Sequence, residues 1–244
     1  MFHLVFLRAL VAKGDDKRLF AVKGGCNLRF FFGNVRYSED IDIDVAVVAK
    51  GTLKNKIDRL LQSPPLIGPL RAQGIAVVDA SAPKQTDTTQ RWKVGLRAEG
   101  LGVPLRTRIE FSRRDAITGA AFDAVDREVL RPYGVATFLA THYATPRTIL
   151  QKIHALSARA QPQPRDVFDL SMLFARLDAA ELKLSEKEKR WLASAIENAM
   201  GISFDEYASK VVAFLDPGQR ELYDTRATWE TMQSSVVEHL ESLP

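Results

Sequence analysis

Apolar residues recur along the chain with two different periods, and the change from one to the other divides it. In the first half, helical and strand-like stretches alternate. Phe2 to Val11 reads as an amphipathic helix, and Arg18 to Lys23 as a strand delivering a Gly24-Gly25 turn. Gly25 to Phe32 reads as a short helix with its aromatic residues packed inward, and Asp40 to Val48 as a buried strand ending in Val47-Val48. Leu53, Ile57, Leu60 and Leu61 have helical spacing, which predicts a helix over Leu53 to Leu61 that Pro64-Pro65 ends. Three more strands are predicted at Ile75 to Val78, Trp92 to Ala98 and Leu105 to Phe111. Trp92, Val94 and Leu96 alternate with Lys93, Gly95 and Arg97; Leu105, Thr107, Ile109 and Phe111 alternate with Arg106, Arg108, Glu110 and Ser112. A sheet with helices packed on it results, an α+β fold.

Beyond about Tyr133 the pattern is helical. Thr145-Pro146 reads as an N-cap with proline at the first helical position, opening a helix to about Arg159. Gln161-Pro162-Gln163-Pro164 is a linker, and Arg165 opens the next helix. Ser185 is placed to cap Glu186 to Met200, which Gly201 stops. Ser203-Phe204-Asp205-Glu206 is a capping-box pattern, and Asp216-Pro217-Gly218 is a turn before the last long helix. The expected domains are therefore residues 1–135 and 136–244.

The most informative chemistry lies in the strand from Asp40. Alternate residues of a strand point to one face, so Asp40, Asp42 and Asp44 share a face and Ile41, Ile43 and Val45 the other. Three carboxylates on one strand face repel each other and aspartate is a poor strand former, so a structural role gains nothing from this arrangement, whereas a cation would relieve it. Hard divalent cations take carboxylate oxygens, at about 2.0–2.1 Å for Mg²⁺. Asp40 and Asp42 are the expected ligands; Asp44 either flanks the site or contacts a neighbour. Gly24 and Gly25 let phosphates approach the backbone, and the N–H groups of a helix start favour anions. These are the parts of a nucleotidyl-transfer site. Glu110, on the polar face of its strand, is the candidate third carboxylate for metal binding or activation of a hydroxyl; the alternative is that it pairs with Arg106 or Arg108.

A second cluster holds Lys152 and Arg159, seven residues apart on one helix face, then Arg165, Asp166 and Asp169 on the first turn of the following helix. Lysine as a point charge and arginine as a fork both suit triphosphate oxygens; a surface cluster tied by ion pairs is the alternative. His154 reads as a packed histidine. Cys26, beside the glycine turn, is either a thiol activated by the helix start or a small residue that fits.

Composition narrows the class. A chain of 244 residues with 46% hydrophobic content buries an ordinary core, and no apolar run reaches the roughly 18 residues of a membrane span. The start of the chain lacks a basic leader and a cleavage site, so no signal peptide is expected, and its first predicted strand lies close to residue 1, as it would if a preceding segment were absent. One cysteine forms no internal disulfide, which fits a reducing cytoplasm. Four histidines and one cysteine give no zinc pattern. The net charge of +4 is compatible with RNA or a polyanionic nucleotide as partner.

Taken together, Lys23-Gly24-Gly25, Arg36-x-Ser38-x-Asp40-Ile41-Asp42, Ile109-Glu110-Phe111-Ser112, Lys152-x-x-Ala155-Leu156-x-x-Arg159 and Arg165-Asp166-x-x-Asp169-Leu170 resemble, in their order, the AbiEii/AbiGii-type nucleotidyltransferase toxins over residues 1–175. The resemblance implies a DNA polymerase β-like nucleotidyltransferase core with a helical C-terminal domain, acting as the toxin of a type IV toxin–antitoxin or abortive-infection system with a separately encoded antitoxin. It implies use of a nucleoside triphosphate with Mg²⁺ (or Mn²⁺) and transfer to an acceptor, for some relatives the 3′ end of tRNA. By position, Asp40 and Asp42 would bind metal, Gly24 and Gly25 would form the nucleotide turn, and Lys152 would contact phosphates. Asp169, rather than Asp166, would be the further acidic residue. Lys23, Cys26, Arg36, Ser38 and Arg159 fall in the matching nucleotide-binding stretches. One departure is Cys26, where the family usually has a small hydroxyl residue; a thiol is a weaker donor. Two other readings share the residues: transfer to a protein or small-molecule hydroxyl, and a non-catalytic nucleotide-binding module.

Overall fold

The aspartate-bearing strand lies at the centre of a seven-stranded mixed sheet in the computed structural model, which describes residues 1–12, 18–113, 117–177 and 182–244. The chain forms two compact units, one of residues 1–33 and 38–143, the other of residues 34–37 and 144–244.

The first unit runs α1 (Phe2–Leu10), β1 (Phe20–Lys23), α2 (Gly24–Phe32), β2 (Asp40–Val45), α3 (Lys50–Leu60), α4 (Pro64–Arg71), β3 (Ile75–Gln85), β4 (Thr89–Ala98), β5 (Leu105–Ser112), β6 (Ala120–Ala124), α5 (Arg127–Leu130) and β7 (Leu139–Tyr143). The strand order is β3-β4-β5-β2-β1-β7-β6. β2 pairs parallel with β5 and antiparallel with β1, so the strand carrying the aspartates is flanked on both sides. Ile41 and Ile43 are wholly buried and join Trp92, Val94, Ile109 and Phe111 in one apolar core, which is what the period-2 patterns of these strands predict.

Several expectations need correction. α1 is not a one-sided amphipathic helix: Phe2, Leu4, Val5, Phe6, Leu7 and Leu10 are all buried, because this helix lies within the core. β2 stops at Val45 and Val47 is fully exposed, so the apolar pair Val47-Val48 does not extend the strand. Pro64-Pro65 does not merely end α3; the two prolines occupy the first turn of α4, where their missing N–H groups cost nothing. β6 and β7 were not anticipated. β7 pairs parallel with β1, far away in sequence, and β6 (Ala-Ala-Phe-Asp-Ala) has little alternation of its own to announce it.

The second unit runs α6 (Thr145–Ala158), α7 (Pro164–Phe174), α8 (Glu186–Met200), α9 (Phe204–Lys210), α10 (Arg220–Tyr223) and α11 (Arg226–Ser242). The Ser203–Glu206 capping box forms as the sequence predicts; Ser185 caps α8 as expected and, with Glu188, makes a second capping box that was not anticipated. Thr145 is not an N-cap: Ala144 takes that place, and Thr145 and Pro146 lie in the first turn. The core of this unit includes Phe168, Leu170 and Leu173 from α7 and the Tyr207 and Trp229 rings, stacked 4.4 Å apart. Residues 34–37 join this unit by backbone hydrogen bonds: the Tyr37 N–H donates to the Phe214 carbonyl at 2.8 Å, and the Asp216 N–H to the Val35 carbonyl at 3.0 Å.

Candidate active site

Strand register builds the acidic face. In the parallel pairing of β2 with β5, Asp40 stands opposite Arg108, Asp42 opposite Glu110 and Asp44 opposite Ser112. Residues in register on neighbouring strands share a face, about 4.8 Å apart. On the other side of β2 the antiparallel β1 places Lys23 opposite Asp42, and beyond β5 the antiparallel β4 places Arg91 opposite Glu110. One row across four strands thus reads Lys23, Asp42, Glu110, Arg91: two carboxylates between two cations.

The individual contacts give each group its state. Asp40 accepts from the Arg108 backbone N–H at 3.0 Å and from the Arg108 Nε at 2.9 Å, and Arg108 Nη2 closes the pair. The hydrogen bond Arg108 donates to Asp40, and after it the charges of Asp40, Asp42 and Glu110, raise the Arg108 guanidinium above its ordinary value against the opposing effect of burial. Glu110 accepts from Arg91 Nε at 2.7 Å, not from Arg106 or Arg108, because cross-strand register brings Arg91 opposite it. Asp44 is 6% exposed; its oxygens accept from Lys23 Nζ at 2.5 Å and Tyr143 Oη at 2.6 Å. Of the two readings of Asp44, the neighbour contact is the one realised.

The glycine turn lies against Asp42. Gly24 has φ +66°, a left-handed conformation that side chains disfavour, and a Cβ placed on it would stand 3.0 Å from Asp42 Oδ2. It opens α2 directly after β1, and no side chain of the N-cap residue Lys23 caps that helix. Cys26 is buried and its Sγ donates to the Asp40 carbonyl at 3.3 Å, while Ser38 Oγ donates to the same oxygen at 2.8 Å. His3 backs this turn: its Nδ1 is 3.6 Å from Cys26 Sγ and its Nε2 2.6 Å from Thr107 Oγ1. Burial pushes His3 down to about 4, so it is neutral at pH 7. Sequence reasoning did not single out His3; nothing in its local context points to a partner a hundred residues away.

The donor set offered by Asp40, Asp42 and Glu110 is all carboxylate oxygen, which suits a hard cation, and a magnesium site needs only one or two protein carboxylates besides water and substrate phosphates. Among the described residues no group of three or more His, Cys, Asp or Glu side chains is disposed to hold a metal by itself.

The second cluster lies in the second unit and is buried, not superficial. Asp166 and Asp169 are fully buried, Arg36 is 7% exposed and Lys152 8%. Lys152 Nζ donates to Asp166 Oδ1 at 2.9 Å and Asp169 Oδ2 at 2.6 Å. Arg36 Nη2 donates to Asp169 Oδ2 at 3.0 Å, Asn34 Nδ2 to Asp169 Oδ1 at 3.0 Å, and Arg159 Nε lies 3.2 Å from Asp166 Oδ2. Burial opposes both charges, but Lys152 and Arg36 outweigh it and hold the Asp169 carboxyl below its ordinary range. Likewise Asp166 and Asp169 outweigh burial and raise the Lys152 ammonium. Asn34 and the role of Arg36 as the link between residues 34–37 and α7 were not foreseen; only tertiary contact reveals them.

No helix among the described residues is long and apolar enough to cross a membrane. None of the curated proteins compared with the chain matches it in sequence. Two solved structures share its fold: a candidate nucleotidyltransferase from H. pylori, 18% identical, with a TM-score of 0.62 over 100% of this chain and 95% of that one; and JHP933 from Helicobacter pylori, 18% identical, TM-score 0.59, over 98% of this chain and 90% of that one. The sequence pattern of the family described as nucleotidyl transferase AbiEii toxin, type IV TA system, matches residues 5–242. A family match over nearly the whole length, on a chain whose glycine turn and paired carboxylates meet on one sheet face, places this protein in the AbiEii family of nucleotidyltransferase toxins.

Proposed function

We propose that this nucleotidyltransferase, with a DNA polymerase β-like core and a helical C-terminal domain, transfers a nucleoside monophosphate from a nucleoside triphosphate to the 3′ hydroxyl of tRNA in the cytoplasm. The observation that carries the reading is the register pair Asp42 and Glu110 beneath Gly24, with Asp40 one step along the same face. A polar, one-sided arrangement of this kind has no packing role; Ile41 and Ile43 on the opposite face do the packing.

Asp40 and Asp42 are the proposed metal ligands. Bound Mg²⁺ or Mn²⁺ supplies charge for the triphosphate and lowers the pKa of the attacking hydroxyl. The Gly24-Gly25 turn and the start of α2 are the proposed phosphate cradle; the Cys26 thiol supports the Asp40 backbone, as does Ser38. Glu110 accepts the proton of the attacking hydroxyl or helps hold the cation, with Arg91 beside it balancing its charge, while Lys23 at the other end of the row is paired with Asp44. The hydroxyl oxygen forms a bond to the α-phosphorus, the bond to the β-phosphate oxygen breaks, and pyrophosphate leaves. Within the second unit, Lys152 is held by Asp166 and Asp169, and Asp169 in turn by Arg36, so this lysine serves the buried cluster. This is positioning plus electrostatics. A type IV family implies an antitoxin partner.

The test incubates the protein with Mg²⁺, each labelled nucleoside triphosphate in turn and total tRNA, beside Asp42→Ala. Label on tRNA with the wild type alone is the expected result, and it names the preferred base. Label on protein or small molecules instead would move the acceptor, and no label anywhere despite nucleotide binding would leave a binding module.

A further inference from the structure

The exposed face of β3, β4 and β5 carries a run of cations that leads to Asp40 and that the nucleotide chemistry leaves unused. On β4, Lys93 stands opposite Arg108 of β5 on one side and Ser81 of β3 on the other, and Arg108 in turn stands opposite Asp40. Two residues along, Gly95 stands opposite Arg106 and Asp79; two further, Arg97 stands opposite Ala76. Lys93, Arg97, Arg106 and Arg108 are all exposed on this face, and among the described residues Lys93 and Arg97 have no acidic partner. With Glu39 and Thr107, three of these cations line an open cleft of about 560 Å³ that includes Asp40.

Gly95 sets the shape. A Cβ there would stand 2.4 Å from Asp79 Oδ2 and 2.8 Å from Arg106 Nη1. The Arg106–Asp79 ion pair therefore lies across the bare backbone of Gly95, and the middle of the run stays flat. Lys93 to Arg97 spans roughly 13 Å along the strand, longer than one triphosphate needs. The chemistry of the face is as telling as its charge. It presents no aromatic platform: Trp92 points the other way and is 1% exposed. Unstacked single strands are held by aromatic side chains, whereas the stems of structured RNA are held through their phosphates.

We infer that the β3–β5 face, through Lys93 and Arg97 with the ion-paired Arg106 and Arg108 between and beside them, binds the phosphate backbone of a double-helical RNA stem and delivers that RNA's end to Asp40 and Asp42. The inference rests on RNA being the acceptor, as proposed above, and adds which surface holds it and which part of the RNA is read. Recognition here is of backbone, so it is independent of sequence and steeply dependent on salt.

The experiment measures binding of total tRNA to the wild type and to Lys93→Glu/Arg97→Glu across a salt series, with nucleoside triphosphate binding and circular dichroism on both. Lys93→Gln/Arg97→Gln serves as the milder variant. Expected are an affinity for tRNA at least tenfold weaker in the charge-reversed protein, a salt slope lowered by about one for each cation removed, and unchanged triphosphate binding. Equal affinity and slope in a folded variant would overturn the surface while leaving the acceptor reading intact. A wild type that binds no tRNA at low salt would overturn both. Polyglutamate that displaces tRNA as well as an equal charge of duplex RNA would reassign the face to an acidic protein.

Discussion

Asp42 and Glu110 stand side by side in the parallel pairing of β2 with β5, held between Lys23 and Arg91 in one row across four strands. Because neither can move without its strand, the pair acts as a unit. Asp42→Asn and Glu110→Gln are each expected to lower transfer by about 10²–10³, the loss typical of removing one preorganised charge from a reacting centre. The double variant should lose far less than the product of the two, since groups acting as a unit are non-additive. Transfer of labelled nucleotide, with melting curves to confirm the fold, decides it; independent losses would separate the two roles.

Gly24 faces two constraints at once, a φ of +66° and the Asp42 carboxylate 3.0 Å from where its Cβ would be. Gly24→Ala should cost about 1–3 kcal/mol of stability from the backbone conformation alone and should displace Asp42. Chemical unfolding and transfer assays on Gly24→Ala and Gly25→Ala are expected to rank Gly24 as the more damaging in both; equal effects would show that Asp42 tolerates the methyl group.

Arg108 holds Asp40 with its side chain, half of which is exposed. Such an exposed ion pair is worth about 0.2–1 kcal/mol, so freeing Asp40 by Arg108→Ala should tighten Mn²⁺ binding by about 1.4- to fivefold. Electron paramagnetic resonance of free Mn²⁺ reads this without any turnover. Unchanged binding would mean that the cation and Arg108 do not compete for the same oxygens.

Lys152, Arg36 and Asp169 form a buried network in which removing one partner strands a charge. Asp169→Asn and Lys152→Met are each expected to destabilise by about 3–5 kcal/mol in urea unfolding, whereas Asp40→Asn, at a partly exposed position, should cost little. The pH dependence follows from the directions of the shifts. Asp169 is held below its ordinary value of 3.8, so its contribution is present above that pH and is lost as pH falls through the lower folded value. Lys152 is raised, so its contribution is present below 10.5 and is lost as pH rises through the higher folded value.

His3 gives a window nearer neutrality. Its folded value near 4 lies below the ordinary 6.5, so the unfolded chain binds a proton that the folded one refuses. Stability from His3 is complete above pH 6.5 and declines as pH falls toward 4. Urea midpoints at pH 7 and pH 5 should differ more for the wild type than for His3→Gln; an identical drop would assign the effect to other groups.

What the sequence determined by itself was local. Alternation gave the strands carrying Asp40, Trp92 and Ile109, since one buried face repeats every second residue, and capping serines, one of them with glutamate three residues on, gave the starts of two helices. The glycine turn and the aspartate pair were legible for the same reason: their chemistry is written within a few consecutive residues. Tertiary structure alone decided the partners. Arg91 for Glu110, Tyr143 for Asp44, Arg36 for Asp169 and the parallel pairing of β7 with β1 all join residues far apart in the chain, and an isolated segment carries no record of which distant strand or helix will complete its hydrogen bonds and cancel its charge.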